Sequence, residues 1–309
     1  MRSIIRNFHF SPFRILALKR AIFLWMNAFF FTLVINFNAN AQGTGIFDRF
    51  SDALETVQDG LELILPDDVD MKNDVRVQIG LGNGFVPDYS GSNNYRYRFL
   101  PMVNIRYKDL WHLNNGRLNI PLYHKGNFEV GPLVNLLFGR QENRNAALAG
   151  LGDINTTIEI GTYVRYRTKA TLIEANFRQA LGAGQGRSLR ITAGQGIYKN
   201  GDFSLALAGR ARWQSREATQ TNYGITAEQA ENSSFGLTEF QTTAGFSEIN
   251  GNLIGSYELT EQTRLLGLLS YGRLLGDAAN SPLVSGNNGD GIGSSNQFIG
   301  GIAISYRFQ

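Results

Sequence analysis

Along most of the chain, from Val75 onward, apolar and polar residues alternate with a period of two in runs of roughly ten. At 156–166, Ile158, Ile160, Thr162, Val164 and Tyr166 share one face, and Glu159, Gly161, Tyr163 and Arg165 share the other. At 170–180, Ile173, Ala175 and Phe177 oppose Glu174, Asn176 and Arg178. At 202–213, Phe203, Leu205, Leu207, Gly209, Ala211 and Trp213 oppose Asp202, Ser204, Arg210 and Arg212. The last run sets Phe298, Gly300, Ile302, Ile304, Tyr306 and Phe308 against Ser305 and Arg307. Successive side chains of a strand point to opposite faces, so each run predicts a strand with one apolar and one polar wall. A soluble sheet with one wet face alternates in the same way. Strands near ten residues long with aromatics close to their ends instead favour a sheet that spans a bilayer.

The pattern predicts twelve strands, near 75–84, 95–107, 109–114, 117–124, 128–138, 155–166, 170–180, 188–197, 202–213, 246–258, 263–273 and 297–308. Pro101, Pro121 and the Asn114-Asn115-Gly116 turn interrupt the third and fourth, and without that pair the number is ten. Tight turns at 167–169, 198–201 and 259–263 alternate with long polar stretches at 139–154, 214–245 and 272–296. Short turns at one end and long loops at the other are the pattern of a closed antiparallel outer-membrane barrel. Backbone groups in lipid must be paired, so such a sheet closes on itself.

The first 74 residues follow a different rule. Arg2, Arg6, Arg14, Lys19 and Arg20 precede an apolar run from Ala21 to Ile35, and Ala39-Asn40-Ala41 follows it. Basic, apolar and small-x-small segments in this order predict a signal peptide over 1–41, cleaved before Gln42. An N-terminal membrane anchor is the alternative. Over 42–74, Phe47, Phe50, Leu54, Val57, Leu61 and Ile64 recur at three- and four-residue steps, predicting a short amphipathic helix and linker on the periplasmic side. The barrel then occupies 75–309.

Composition changes the picture in two places. The chain has 29 basic and 26 acidic residues; removing the five basic residues of the signal leaves 24 against 26. The excess of positive charge belongs to the signal and argues for no nucleic-acid partner. There is no cysteine, so neither disulfides nor thiolate chemistry enter.

Three stretches resemble the MipA/OmpV family of Gram-negative outer-membrane proteins, named for the MltA-interacting protein. They are Pro87-Asp88-Tyr89-Ser90-Gly91-Ser92; Gly139-Arg140 followed by Leu148-Ala-Gly150-Leu-Gly152-Asp153; and Arg273-Leu-Leu-Gly276-Asp277-Ala-Ala-Asn-Ser281-Pro282-Leu-Val284. Their order and spacing fit across roughly 75–308. The resemblance implies an outer-membrane barrel, embedded in outer-membrane lipid and lipopolysaccharide. It also implies a scaffolding role that brings together a murein transglycosylase and a peptidoglycan synthase. Gly301, Ile304, Tyr306 and Phe308 form the C-terminal signal expected to be read by the barrel-assembly machinery.

Candidate chemistry lies on the polar walls. Glu159, Arg165, Glu174, Arg178, Arg190, Arg210, Arg212 and Glu258 are expected to face the lumen. Charges of both signs in a narrow barrel either pair and fill it or form a constriction for small polar or anionic solutes. The loop residues Pro87, Asp88, Tyr89, Gly91 and Ser92 form a structured turn, with ligand contact by Asp88 and Tyr89 as the alternative; Gly276, Asp277, Ser281 and Pro282 could fold a loop back over the mouth. Beyond the signal only His112 and His124 remain as histidines, with no Gly-x-Ser-x-Gly elbow, so the sequence predicts no enzyme, metal or cofactor site.

Overall fold

The computed structural model describes residues 75–286 and 292–308. The signal, the helical leader and Gln309 lie outside the described residues. Within them the alternating runs become one antiparallel sheet that closes on itself. Its segments are β1 (Val75–Pro87), β2 (Tyr95–Tyr107), β3 (Trp111–Asn114), β4 (Arg117–Asn119), β5 (Tyr123–Lys125), β6 (Phe128–Leu137) and β7 (Thr157–Arg167). They continue as β8 (Thr171–Ala180), β9 (Arg187–Asn200), β10 (Phe203–Gln214), β11 (Gly245–Glu258), β12 (Thr263–Leu274) and β13 (Asn296–Phe308). Closure is made by β1, which pairs with β2 on one side and with the last strand, β13, on the other.

β4 and β5 both pair with β6 and are two pieces of one wall strand. The break falls around Pro121, which has no N–H to give to a ladder. Ile120 and Leu122 on either side still donate to the carbonyls of Pro132 (3.1 Å) and Val130 (3.0 Å), so the strand runs through. The wall therefore has twelve strands, the larger of the two numbers the sequence allowed.

Connections sort by length. Residues 108–110, 126–127, 168–170, 201–202 and 259–262 make short turns at the end that also holds both termini of the sheet. Gly126 (φ 61°) and Gly201 (φ 53°) take the left-handed backbone that such turns need and have open space around them, so conformation alone selects glycine there. Residues 88–94, 138–156, 181–186, 215–244 and 275–295 connect strands at the opposite end. Outer-membrane barrels place short turns in the periplasm and long loops outside.

The outer wall is apolar. Ile302 is 59% exposed and Leu269 64%, alongside Ile79, Leu81, Ile160, Val164, Leu207 and Ile304. Aromatics ring this band at both heights: Phe85–Tyr97 (ring centroids 5.3 Å) and Tyr271–Phe298 (5.0 Å) toward the loops, Tyr306–Phe308 (4.9 Å) and Phe128–Tyr166 (4.9 Å) toward the turns. Such a surface is costly in water and stable only in lipid.

Candidate functional site

Inward-facing side chains carry the charge. Glu174 on β8 accepts from Arg165 of β7 (Nη2 2.5 Å, Nε 2.8 Å), from Arg117 of β4 (3.2 Å) and from Asn176 (2.9 Å). Arg178 donates through Nε to Asn176 Oδ1 (2.8 Å) and reaches Glu159 Oε2 (3.3 Å). Glu159 also faces Arg190 (3.6 Å) and accepts from Asn135 (2.8 Å). The result is one continuous chain of paired groups, Arg117–Glu174–Asn176–Arg178–Glu159–Arg190, crossing the lumen wall from β4 to β9. Arg178 has no exposed surface and Arg117 almost none. Each ion is desolvated, and each is held by charge-assisted hydrogen bonds.

The other predicted inward residues fall around this chain. Arg210 donates to Thr192 Oγ1 (3.4 Å), and Arg212 faces Glu248 (4.0 Å). Glu258 sits at the turn end, partly exposed, and accepts from Arg264 (2.7 Å). Three partners escaped sequence reasoning: Arg117, Glu129 and Asn135. They lie on β4 and β6, where proline and short segments obscure the alternation. Glu129 accepts from Tyr163 (2.6 Å) and lies 3.7 Å from Arg165. Among the described residues the buried charges comprise eight arginines, at 117, 144, 165, 178, 190, 210, 212 and 264, and three acids, Asp88, Glu159 and Glu174. The interior is thus biased toward anions.

Above the network the long loops form a cap with its own apolar core. Tyr89, Leu148, Leu151, Tyr223, Ile225, Leu237, Leu274, Leu283 and Val284 pack together. They come from connections widely separated in sequence, and the three motif stretches meet there. Tyr89 donates its hydroxyl to Leu283 O (2.9 Å), Ser281 donates to Tyr223 O (2.6 Å), and Ser90 and Tyr223 share a hydroxyl contact (2.8 Å). Gly91 N donates to Gln297 Oε1 (3.1 Å), and Ser92 bridges Gly293. Asp88 is buried against Arg96 and accepts from Asn145 (2.9 Å). Asp88 and Tyr89 are therefore engaged within the cap itself.

The segment at 276–285 packs into this loop core through Ala278, Leu283 and Val284. Ser281 caps helix Pro282–Ser285, whose proline stands at its first turn, and Asp277 accepts from Thr243 N and Oγ1 (2.7 Å each). Two helices in the cap, Arg216–Tyr223 and Ala227–Asn232, lie in a stretch that reads as polar loop. The second carries a legible signal: Thr226 and Gln229 form a capping box. Gly301 lies on the inner wall, where it faces Gly84 of β1; Ile304, Tyr306 and Phe308 lie on the lipid face.

Between cap and network lies a cavity of about 160 Å³. Arg140, Arg190 and Arg212 line it with Glu159, Glu248 and Gln214. Burial pushes the Arg140 guanidinium down to about 10, with neighbouring Arg144 adding to the effect, so it stays charged at neutral pH. Replacing Asp88 by alanine removes the carboxylate that holds Arg96 and Asn145. Cleavage of the 138–156 loop by external protease is then expected to rise while the barrel stays heat-modifiable; unchanged cleavage would show the contact to be dispensable.

A twelve-stranded barrel with an apolar outer belt, two aromatic rings and a loop cap defines an outer-membrane β-barrel protein. The chain belongs to the family of the MltA-interacting protein MipA, whose model matches residues 79–308. No curated protein matches it in sequence. Similar solved structures include the NanC porin (12% identity, TM-score 0.37, covering 75% of this chain and 98% of that one). Others are an outer-membrane channel from Pseudomonas putida F1 (11%, 0.39, 79% and 99%) and the translocator domain of the autotransporter NalP from Neisseria meningitidis (13%, 0.40, 89% and 98%). Likeness at this level carries no functional information.

Proposed function

We propose that this protein is a non-enzymatic, non-conducting outer-membrane barrel that serves as a scaffold, holding a murein transglycosylase and a peptidoglycan synthase beneath the membrane. The observation that supports it most is the pairing of buried charge: Arg117 and Arg165 meet Glu174, and Arg178 meets Glu159, as in a narrow barrel that its own side chains fill. The family's description as MltA-interacting supports the choice of partner. In this reading residues 1–41 direct export, and the amphipathic leader at 42–74 offers a contact on the periplasmic side. Pull-down of murein enzymes by the mature protein is expected, and deletion of 43–70 is expected to abolish it. Retention after deletion would move the contact to the barrel's short turns; no pull-down by the intact protein would end the scaffold reading.

The second reading is a small passive channel for small polar or anionic solutes, favoured by the excess of buried arginine. The mature protein in a planar bilayer is expected to be silent, as is its Arg210→Ala, Arg212→Ala variant. A steady conductance whose ion selectivity changes in the variant would replace the scaffold reading with transport.

A further inference from the structure

We infer that the barrel wall has a lateral window in the outer half of the membrane, through which a lipid presents a phosphate-bearing, hydroxylated headgroup to the cavity beneath the cap.

The window follows from one short hairpin. β3 turns back at Asn115-Gly116, so β2 meets β3 only over Asn104–Tyr107. The hairpin tip extends this slightly: Asn115 N donates to Val103 O (2.8 Å), and Val103 N donates to Asn115 Oδ1 (2.7 Å). From Tyr95 to Met102, that edge of β2 has no strand partner among the described residues. On the far side β6 meets β4 only up to Asn135, and Leu136 N donates to Gly116 O (2.9 Å) at the tip. Above the tip β6 continues only to Leu137, so the upper part of the β2 edge faces no strand among the described residues. The outward side chains Tyr97 and Phe99 flank it and belong to the lipid-facing belt. The upper border is formed by Arg96, whose guanidinium meets Asp88 and the carbonyl of Arg144.

An unpaired strand edge in hydrocarbon is expensive, and this edge is adapted to it. Alternate residues point their peptide groups to the open side, and counting by twos from Val103 gives Pro101, Phe99 and Tyr97. Pro101 has no N–H to leave unsatisfied.

The cavity lies directly behind. Leu137 and Phe138, at the top of β6, and Arg144, at the upper border, also line the cavity. Its arginines at 140, 144, 190 and 212 outnumber its two glutamates. Buried polar atoms in its wall without a hydrogen-bond partner include Arg140 Nε, a donor, and Gln214 Oε1, an acceptor. Gln214 is only 6% exposed. A donor and an acceptor without partners, in a cationic cavity of this size, fit a group carrying both an anionic oxygen and a hydroxyl. The lateral gap leaves the acyl chains in the membrane, so the occupant is a lipid rather than a free anion.

The test uses the folded mature protein, stripped of lipid in detergent and then offered lipid A, phosphatidylcholine or soluble glycerol phosphate. Bound lipid is counted by native mass spectrometry. Retention of one lipid A over phosphatidylcholine is expected. Arg140→Gln and Gln214→Glu, made separately so that one folded variant suffices, are each expected to weaken it about tenfold. Arg273→Gln, on the outer wall, is expected to leave it unchanged. Equal retention of both lipids, or full retention by a folded cavity variant, would overturn the site. Displacement of the lipid by glycerol phosphate at equal concentration would overturn the lateral route and mark an anion taken from water.

Discussion

Glu174→Ala is expected to destabilise the barrel by about 3–5 kcal/mol, the cost of leaving buried charge uncompensated. The carboxylate takes four hydrogen bonds from three side chains, Arg165 at 2.5 and 2.8 Å, Arg117 at 3.2 Å and Asn176 at 2.9 Å. Without it, two guanidinium groups that water barely reaches face each other across the lumen wall. Urea unfolding from bilayers measures the loss. The triple replacement Arg117→Met, Arg165→Met, Glu174→Leu separates charge from packing, because exchanging a buried ion cluster for apolar groups of similar volume is often neutral or stabilising. A triple variant as unstable as Glu174→Ala would show that shape, rather than pairing, holds this part of the lumen together.

Gly84→Ala is expected to block closure of the barrel. Gly84 on β1 lies opposite Gly301 on β13, at the seam between the first and last strands. A Cβ at Gly84 would stand 2.5 Å from Gly300 O and 2.9 Å from Gly301 Cα; one at Gly301 would stand 2.7 Å from Asn83 O. These neighbours are backbone, which cannot swing aside as a side-chain tip does. Overpacking of this kind costs about 1–3 kcal/mol or more, here at the pairing that completes the sheet. The yield of heat-modifiable barrel should fall several-fold, whereas Gly267→Ala, where a Cβ meets nothing within 4 Å, should assemble normally. Equal yields would mean that β1 and β13 separate enough to admit the methyl.

Legibility of the fold tracked the purity of the alternation. At 156–166 and 170–180 every second residue has one fate, and the inward side chains Glu159, Arg165, Glu174 and Arg178 are buried together. The third and fourth strands were the weakest part of the pattern because proline removes donors there, and two ladder bonds across Pro121 carry the strand through. The helices at Arg216–Tyr223 and Ala227–Asn232 were hidden by their polarity, since at six to eight residues they are too short to show a stripe. The capping box at Thr226 was the one local trace.

What the sequence by itself determined is the wall: its inner and outer faces, the ends with short and long connections, and much of the charge on its polar side. Each depends on neighbours one or two residues apart, where strand geometry acts directly. Only the tertiary structure decided which charge meets which, that three distant motif stretches share one cap, that twelve strands close the wall, and that a short hairpin leaves the upper edge of β2 without a strand partner among the described residues. Those outcomes depend on register and shear around a closed sheet, which bring together residues with no common local pattern.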